Sequence, residues 1–396
     1  MNSTLGQATC RPQTAALSQK RVALLVLQDS SFYAGTALGT SKRVLGELVF
    51  NTSMTGYQEA LTDPSYAGQI LTFCYPLIGN YSFSPESFES QKIHARATVV
   101  AESCQKPFQP TPATAPAAAA TAQSPQATLD EFLASQNTPG IAGVDTRSIV
   151  LRIREHGVLP SALQTFEEGE LRDHADCLQA AQELAKTASS FDYSTQNFVQ
   201  EVSPTGLRIA GNPNAKKHAV LVDCGAKKSI EHSLARLGCR VTVVPWDYSA
   251  KKILELEPDG VLFSNGPGNP ALLAKSIQAC RELLGQKPIF GICLGNQILA
   301  HALGADTFKL KFGHRGSNHP VIHADSNRVF ITAQNHGFAV QNLPQGVEPL
   351  FENCYDGTNE GIKCVEKQAF SVQFHPEANP GPYDTSFLFE EFTEML

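Results

Sequence analysis

KPIFGICLGNQILAHALG, residues 287–304, passes from an apolar strand pattern straight into an amphipathic helix pattern, with no polar loop between them. A strand that turns directly into a helix needs a sharp corner. Gly291 and Gly295, two residues either side of Cys293, remove the Cβ atoms that would obstruct it. The central side chain of such a corner is projected from strained backbone. The free amides and positive dipole end of the following helix then face its sulfur, which favours thiolate. The N–H of Leu294 is placed to donate to an oxyanion formed beside that sulfur. The plainer reading of Cys293 is a small buried hydrophobe, the usual fate of a free cysteine. The flanking glycines set it apart from the other cysteines.

Working outward, AVLVD (219–223), RVTVV (240–244) and GVLFS (260–264) are short apolar strands. Ile230, Leu234 and Leu237 share one helical face closed by Gly238, and a second helical pattern covers 271–284. Such alternation predicts an α/β fold with a doubly wound, mostly parallel sheet over 218–396. RVFIT (328–332) and AFSVQF (369–374) predict further strands, and 385–395 a closing helix. Residues 203–217, SPTGLRIAGNPNAKK, read as an interdomain linker. Before them, 21–202 predicts a separate mixed α/β domain with a first strand at Val22–Leu27, a Gly-rich β-leaning stretch through Tyr81 and a helix over 173–187. Within it, the Pro/Ala-rich stretch 105–128 cannot bury a core and is expected to be a disordered insert. Residues 1–20 are polar and free of acidic side chains. A flexible tail is the preferred reading over an organelle import segment.

The 396 residues suit two domains, and 42% hydrophobic with 17% charged residues is the composition of a soluble globular protein. No apolar run approaches the ~18 residues a membrane-spanning helix needs. A net charge of -7 argues against a nucleic-acid partner, because such binding draws on clustered Lys and Arg. Ten cysteines are scattered without a C-x-x-C pair or a secretory apolar region, which predicts reduced thiols and a cytoplasmic location. His314, His319 and His323 lie in a Gly/Asn/Pro-rich stretch without the H-E-x-x-H spacing, so no metal site is expected there.

Three more segments carry chemistry. SVQFHPE (371–377) ends an extended run with His375, and residues two apart in extended chain project to the same side. Pro376 stiffens the backbone between them, so Glu377 can hold the imidazole in one tautomer while it serves as base and then as acid. Alone, the segment reads equally well as a surface turn with an incidental ion pair. SNGPGNP (264–270) follows a strand at its carboxyl end, where open α/β sheets place ligands, and Gly268 offers an N–H that Pro267 lacks. AQNHGF (333–338) reads as a polar loop after a strand or as a hairpin.

Taken in order, SNGPGNP, GICLGNQ, TAQNHGF and FHPE resemble the class I (triad) glutamine amidotransferases over 217–396. FNTSMTGYQEALTDPSYAGQILTFCYPLIGN and GIAGVDTR look like the amino-terminal domain of carbamoyl-phosphate synthetase small subunits, a domain other class I amidotransferases lack. The resemblance implies Cys293 as nucleophile, His375 as proton shuttle and Glu377 as its orienting group. It implies an oxyanion hole from the amides of Gly268 and Leu294. It implies glutamine contacts at Ser65, Gly266, Gly268, Leu294, Gln297, Asn335, Gly337 and Phe338. No cofactor is implied on this chain. ATP and Mg2+ belong to a separate large subunit, the implied partner, which receives the ammonia; no P-loop motif occurs here, and no synthetase is expected to be fused behind the closing helix. The alternatives are a non-catalytic scaffold or regulatory subunit, an unrelated thiol hydrolase, and an amidotransferase serving a different synthetase. Two departures stand out: Asn296 occupies a position usually held by histidine, and 105–128 replaces a region that is ordered in relatives.

Overall fold

A computed structural model describes residues 21–106 and 127–396. The tail 1–20 and most of the insert expected at 105–128 lie outside the described residues. At the far edge of that insert, Thr128 caps the helix Leu129–Ser135 through a reciprocal pair with Glu131. Two compact units emerge, and neither is one continuous segment. The first comprises the described residues within Met1–Asn51, Gly68–Glu86 and Ala95–Tyr193, and the second Thr52–Ala67, Ser87–His94 and Ser194–Leu396.

In the first unit, β1 (Val22–Leu27), β2 (Phe32–Gly39), β3 (Arg43–Asn51), β4 (Gln69–Phe73), β5 (Leu77–Ile78), β6 (Ala97–Val100), β7 (Glu102–Ser103), β8 (Pro139–Ala142) and β9 (Leu159–Phe166) follow one another. Seven of them close a barrel in the order β1-β2-β8-β6-β4-β3-β9, while β5 and β7 pair separately. Every residue of β1 is buried. Val22, Leu24 and Val26 pack beneath the helix His174–Ala188, against Cys177, Ala181 and Leu184. A strand covered on both faces loses the usual alternation, so VALLVL reads as one apolar run.

The second unit is built on a ten-stranded sheet: β10 (Arg208–Gly211), β11 (Lys217–Asp223), β12 (Cys239–Pro245), β13 (Gly260–Phe263), β14 (Ile289–Ile292), β15 (Asp306–His323), β16 (Val329–Gln341), β17 (Glu348–Asn353), β18 (Asn359–Cys364) and β19 (Ala369–Val372). The spatial order is β10-β12-β11-β13-β14-β19-β18-β16-β15-β17. Strands β12, β11, β13, β14 and β19 run parallel. Val220, Val222, Val261, Phe263 and Ile289 pack on one face against Ile253, Leu283, Ile298 and Leu299. Leu221, Val241, Leu262, Phe290 and Ile292 pack on the other against Ile230, Leu234, Phe389 and Phe392. The doubly wound core is therefore present. Strands β15–β18 extend it antiparallel, which makes the sheet mixed rather than parallel to its edge.

Two local expectations need correction. Where 203–217 read as linker, Arg208–Gly211 pairs antiparallel with β12 as an edge strand. Its side chains are mostly exposed, so no apolar run marked it. Of the two readings of 333–338, the hairpin holds and the loop does not: the segment is part of β16, the second arm of the antiparallel β15–β16 hairpin, with Asn335 opposite Arg315 and His336 opposite His314. Burial there alternates through polar side chains, which hides the strand from a hydrophobic pattern. A register shift on β15 between Lys309 and His314, where Gly313 adopts φ +72°, interrupts the regular pairing beside Gly337.

Candidate active site

Cys293 sits between β14 and the helix Leu294–Leu303 with φ 56° and ψ −101°, outside the allowed regions for an L-residue. The corner is held by Cys293 N–H donating to Val372 O at 2.8 Å on the neighbouring parallel strand. Both glycines are required by contact. A Cβ on Gly291 would come 2.5 Å from Gly295 O, and one on Gly295 would overlap Phe263 O. The strain is thus built into a crossing where backbone meets backbone.

β19 carries the base. It runs parallel to β14, with Val372 beside Ile292, and the chain continues three residues to His375, whose N–H donates to Ala333 O at 2.9 Å. His375 Nδ1 lies 2.6 Å from Glu377 Oε1 with both side chains buried. Its other ring nitrogen, Nε2, is buried and has no hydrogen-bond partner among the described residues. Burial pushes the imidazole toward neutrality. The Glu377 carboxylate and the Cys293 sulfur outweigh it and hold the histidine well above its ordinary range. Burial likewise opposes ionised Glu377, but Lys227 and His375 hold its carboxyl well below the usual carboxylate range. The sulfur and the imidazole therefore share one electrostatic site. The thiol also faces Asn335 O at 3.6 Å.

The remaining expected residues gather around this pair. Gln297 Nε2 donates to Phe338 O and to Gln373 Oε1, each at 3.1 Å, tying the elbow helix to β16. Ser65, in a short turn at Pro64–Tyr66, accepts from Asn265 Nδ2 at 2.9 Å. The segment carrying Ser65 belongs to the same compact unit as the elbow. Asn335 Nδ2 donates to Asp63 Oδ2 at 3.0 Å. Gly266 crowds Cys224 O, and a Cβ there would come 2.8 Å from Leu294 Cδ2, so the 264–270 loop lies against the start of the elbow helix. Gly268 adopts φ +95°, and Gly337 adjoins the Arg315 guanidinium. Asn296 is fully buried, donating to Gln373 Oε1 at 3.0 Å and accepting from Ser371 Oγ at 2.8 Å. It sits behind the nucleophile and is part of the support for the helix.

Lys227 and Asp63 were not foreseen. Lys227 Nζ lies 3.2 Å from Glu377 Oε1 and donates to Ala378 O. Nothing in GAKKS distinguishes it from a solvated lysine. Asp63 did carry a local signal, since Asp-Pro-Ser is a turn-opening pattern. Its Oδ1 accepts from Ser65 N–H at 2.9 Å.

Residues 220–395, which hold the strained cysteine at a helix start and the carboxylate-held histidine at the end of a parallel strand, match the model of the class I glutamine amidotransferases. Residues 25–163 match the CPSase domain of the carbamoyl-phosphate synthase small chain. The chain is 44% identical over 376 residues to the carbamoyl phosphate synthase small chain of Methanopyrus kandleri, spanning 94% of this chain and 98% of that one. It is 42% identical to that of Lactococcus lactis over 94% and 98% of the two chains. It is 44% identical to that of Chlorobaculum tepidum over 96% and 98%. The chain belongs to the carbamoyl-phosphate synthase small-chain family.

Proposed function

We propose that this chain hydrolyses L-glutamine through a Cys293 thioester, and that a large subunit uses the ammonia with ATP and Mg2+ to make carbamoyl phosphate from bicarbonate. In this reading 21–202 is the small-chain domain and 218–396 the amidotransferase domain. The Cys293 thiolate adds to the side-chain carboxamide carbon, and the N–H groups of Leu294 and Gly268 donate to the oxygen on which negative charge develops. The His375 imidazolium gives its proton to the departing nitrogen, and ammonia leaves as the C–N bond breaks. Neutral His375 then takes a proton from water, which attacks the thioester carbon. Glutamate departs and the sulfur regains its pairing with the imidazolium. Ser65, Gly266, Gln297, Asn335, Gly337 and Phe338 position the substrate. No cofactor takes part on this chain, and the cytoplasm suits its reduced thiols.

The observation that carries the reading is His375 held at Nδ1 by Glu377 Oε1 at 2.6 Å, with Nε2 buried, without a geometric hydrogen-bond partner among the described residues, and with the Cys293 sulfur acting on the imidazole. Purified chain given glutamine should release glutamate and ammonia, faster with a large subunit present. The Cys293→Ser variant should release neither. Turnover by that variant would rule out the thioester, and no turnover by the native pair of subunits would favour a scaffold.

A further inference from the structure

Behind the glutamine pocket, three antiparallel strands assemble a polar cluster that the hydrolysis does not use. His314 on β15, His336 on β16 and Glu360 on β18 are all buried, and their ligand atoms lie within 4.8 Å of one another. His314 Nδ1 is 3.2 Å and His336 Nε2 3.8 Å from Glu360 Oε1. Ligand atoms held ~2.0–2.1 Å from a tetrahedral zinc ion stand roughly 3.3 Å apart. The two spacings to Glu360 Oε1 are near that value, and the set as a whole, within 4.8 Å, needs only a modest contraction to close on a cation.

The outer contacts set the ring nitrogens in the required sense. His314 Nε2 faces Asp356 Oδ2 at 2.9 Å, which leaves Nδ1 as the nitrogen aimed at Glu360. His336 Nδ1 donates to Phe338 O at 2.8 Å, which leaves its Nε2 inward. A histidine whose second nitrogen is held by a carboxylate or a backbone carbonyl is the usual surrounding of a metal ligand. Asn353 Nδ2 supports Glu360 Oε1 at 2.8 Å. Among the described residues, Gln334 Oε1 lies 3.0 Å from His336 Nε2 and Asn353 Nδ2 lies 3.4 Å from His314 Nδ1, and both amides have to turn aside.

An independent observation points to a missing partner. Glu360 has a fully buried side chain, and its Oε2 has no hydrogen-bond partner among the described residues. His319, whose ring stands 5.3 Å from that of His314, has a buried Nδ1 in the same condition. We propose that His314, His336 and Glu360 bind a divalent transition cation of the zinc class, with His319 or water as the fourth ligand. The cation would pin β15 and β18 to β16, the strand that presents Asn335 and Phe338. The competing account is a metal-free cluster in which His314 is an imidazolium between Asp356 and Glu360.

The experiment uses the full chain as Cys293→Ser, so that the active-site thiol cannot bind metal, purified without a metal-affinity tag and stripped with chelator. Titration with Co2+ should produce the visible bands of a tetrahedral nitrogen- and oxygen-liganded ion, bleached by a single equivalent of Zn2+. Glu360→Gln and His314→Asn in the same background should weaken zinc binding at least tenfold. Zinc anomalous scattering from crystals of the Cys293→Ser chain should place the ion beside Glu360, a measurement that needs no variant of the cluster to fold. Absent bands with no zinc retained would overturn the proposal in favour of the imidazolium. Binding unaltered in both variants, or an anomalous peak elsewhere, would overturn it too.

Discussion

Lys227 Nζ lies 3.2 Å from Glu377 Oε1, and with side chains 4% and 0% exposed neither charge reaches solvent. Glu377 thus has two cationic neighbours, Lys227 and His375, and Glu89 adds a further negative charge near Lys227. Breaking a buried pair from one side leaves an uncompensated charge and costs roughly 3–5 kcal/mol. Lys227→Met should lose stability on that scale and lower kcat by loosening the carboxylate that orients His375. Urea denaturation with steady-state glutaminase assays checks it; an unchanged midpoint and kcat would mean the pair is idle.

The His375–Glu377 pair makes stability depend on pH from both sides. His375 is raised above its ordinary 6.5, so its contribution is complete below pH 6.5 and fades as pH climbs toward the raised value. Glu377 is lowered below its ordinary 4.5, so its contribution is complete above pH 4.5 and fades as pH falls toward the lowered value. The stability advantage of the native chain over Glu377→Gln should therefore be greatest between pH 4.5 and 6.5. Denaturation of both proteins across pH 4 to 9 tests this. An advantage that keeps growing above pH 6.5 would contradict the pairing.

Strain at Cys293 reverses a familiar ordering. Glycine ordinarily costs a helix or strand interior roughly 0.5–1 kcal/mol relative to alanine. At φ 56° and ψ −101° a Cβ is itself the burden, of order 1–3 kcal/mol. Cys293→Gly should be more stable than Cys293→Ala by about 1 kcal/mol or more, with both inactive. Equal stability, or alanine ahead, would show that the elbow stores no strain.

Asp63 bridges Ser65 and Asn335, accepting from Ser65 N–H at 2.9 Å and from Asn335 Nδ2 at 3.0 Å. Hydrogen bonds to a charged group contribute about 1.5–3 kcal/mol, equivalent to roughly ten- to hundredfold in binding. Asp63→Ala should raise KM for glutamine by at least about tenfold while changing kcat less. A loss confined to kcat would place Asp63 in the chemistry instead of the pocket.

Much of the site was legible because its chemistry is written into short segments. Gly291, Cys293 and Gly295 define a corner through local sterics, and His375-Pro-Glu377 puts base and carboxylate within two residues. Lys227 was hidden because its neighbours in sequence give it no apolar setting; Glu377, Glu89 and Asp63, distant in sequence, are the charges it meets. Residues 333–338 left loop and hairpin undecided in the sequence because β16 alternates through polar side chains whose partners sit on β15 and the elbow helix.

Local sequence alone determined the strand-to-helix elbow, the β/α alternation and the apolar strands of the doubly wound core, because periodicity and glycine placement act between residues a few positions apart. Tertiary structure decided which distant residues meet. Strand register across β15, β16 and β18 brings His314, His336 and Glu360 together, and chain crossing between segments sets Asp63 against Asn335. Such encounters depend on pairing over tens to hundreds of residues, which no short window of sequence encodes.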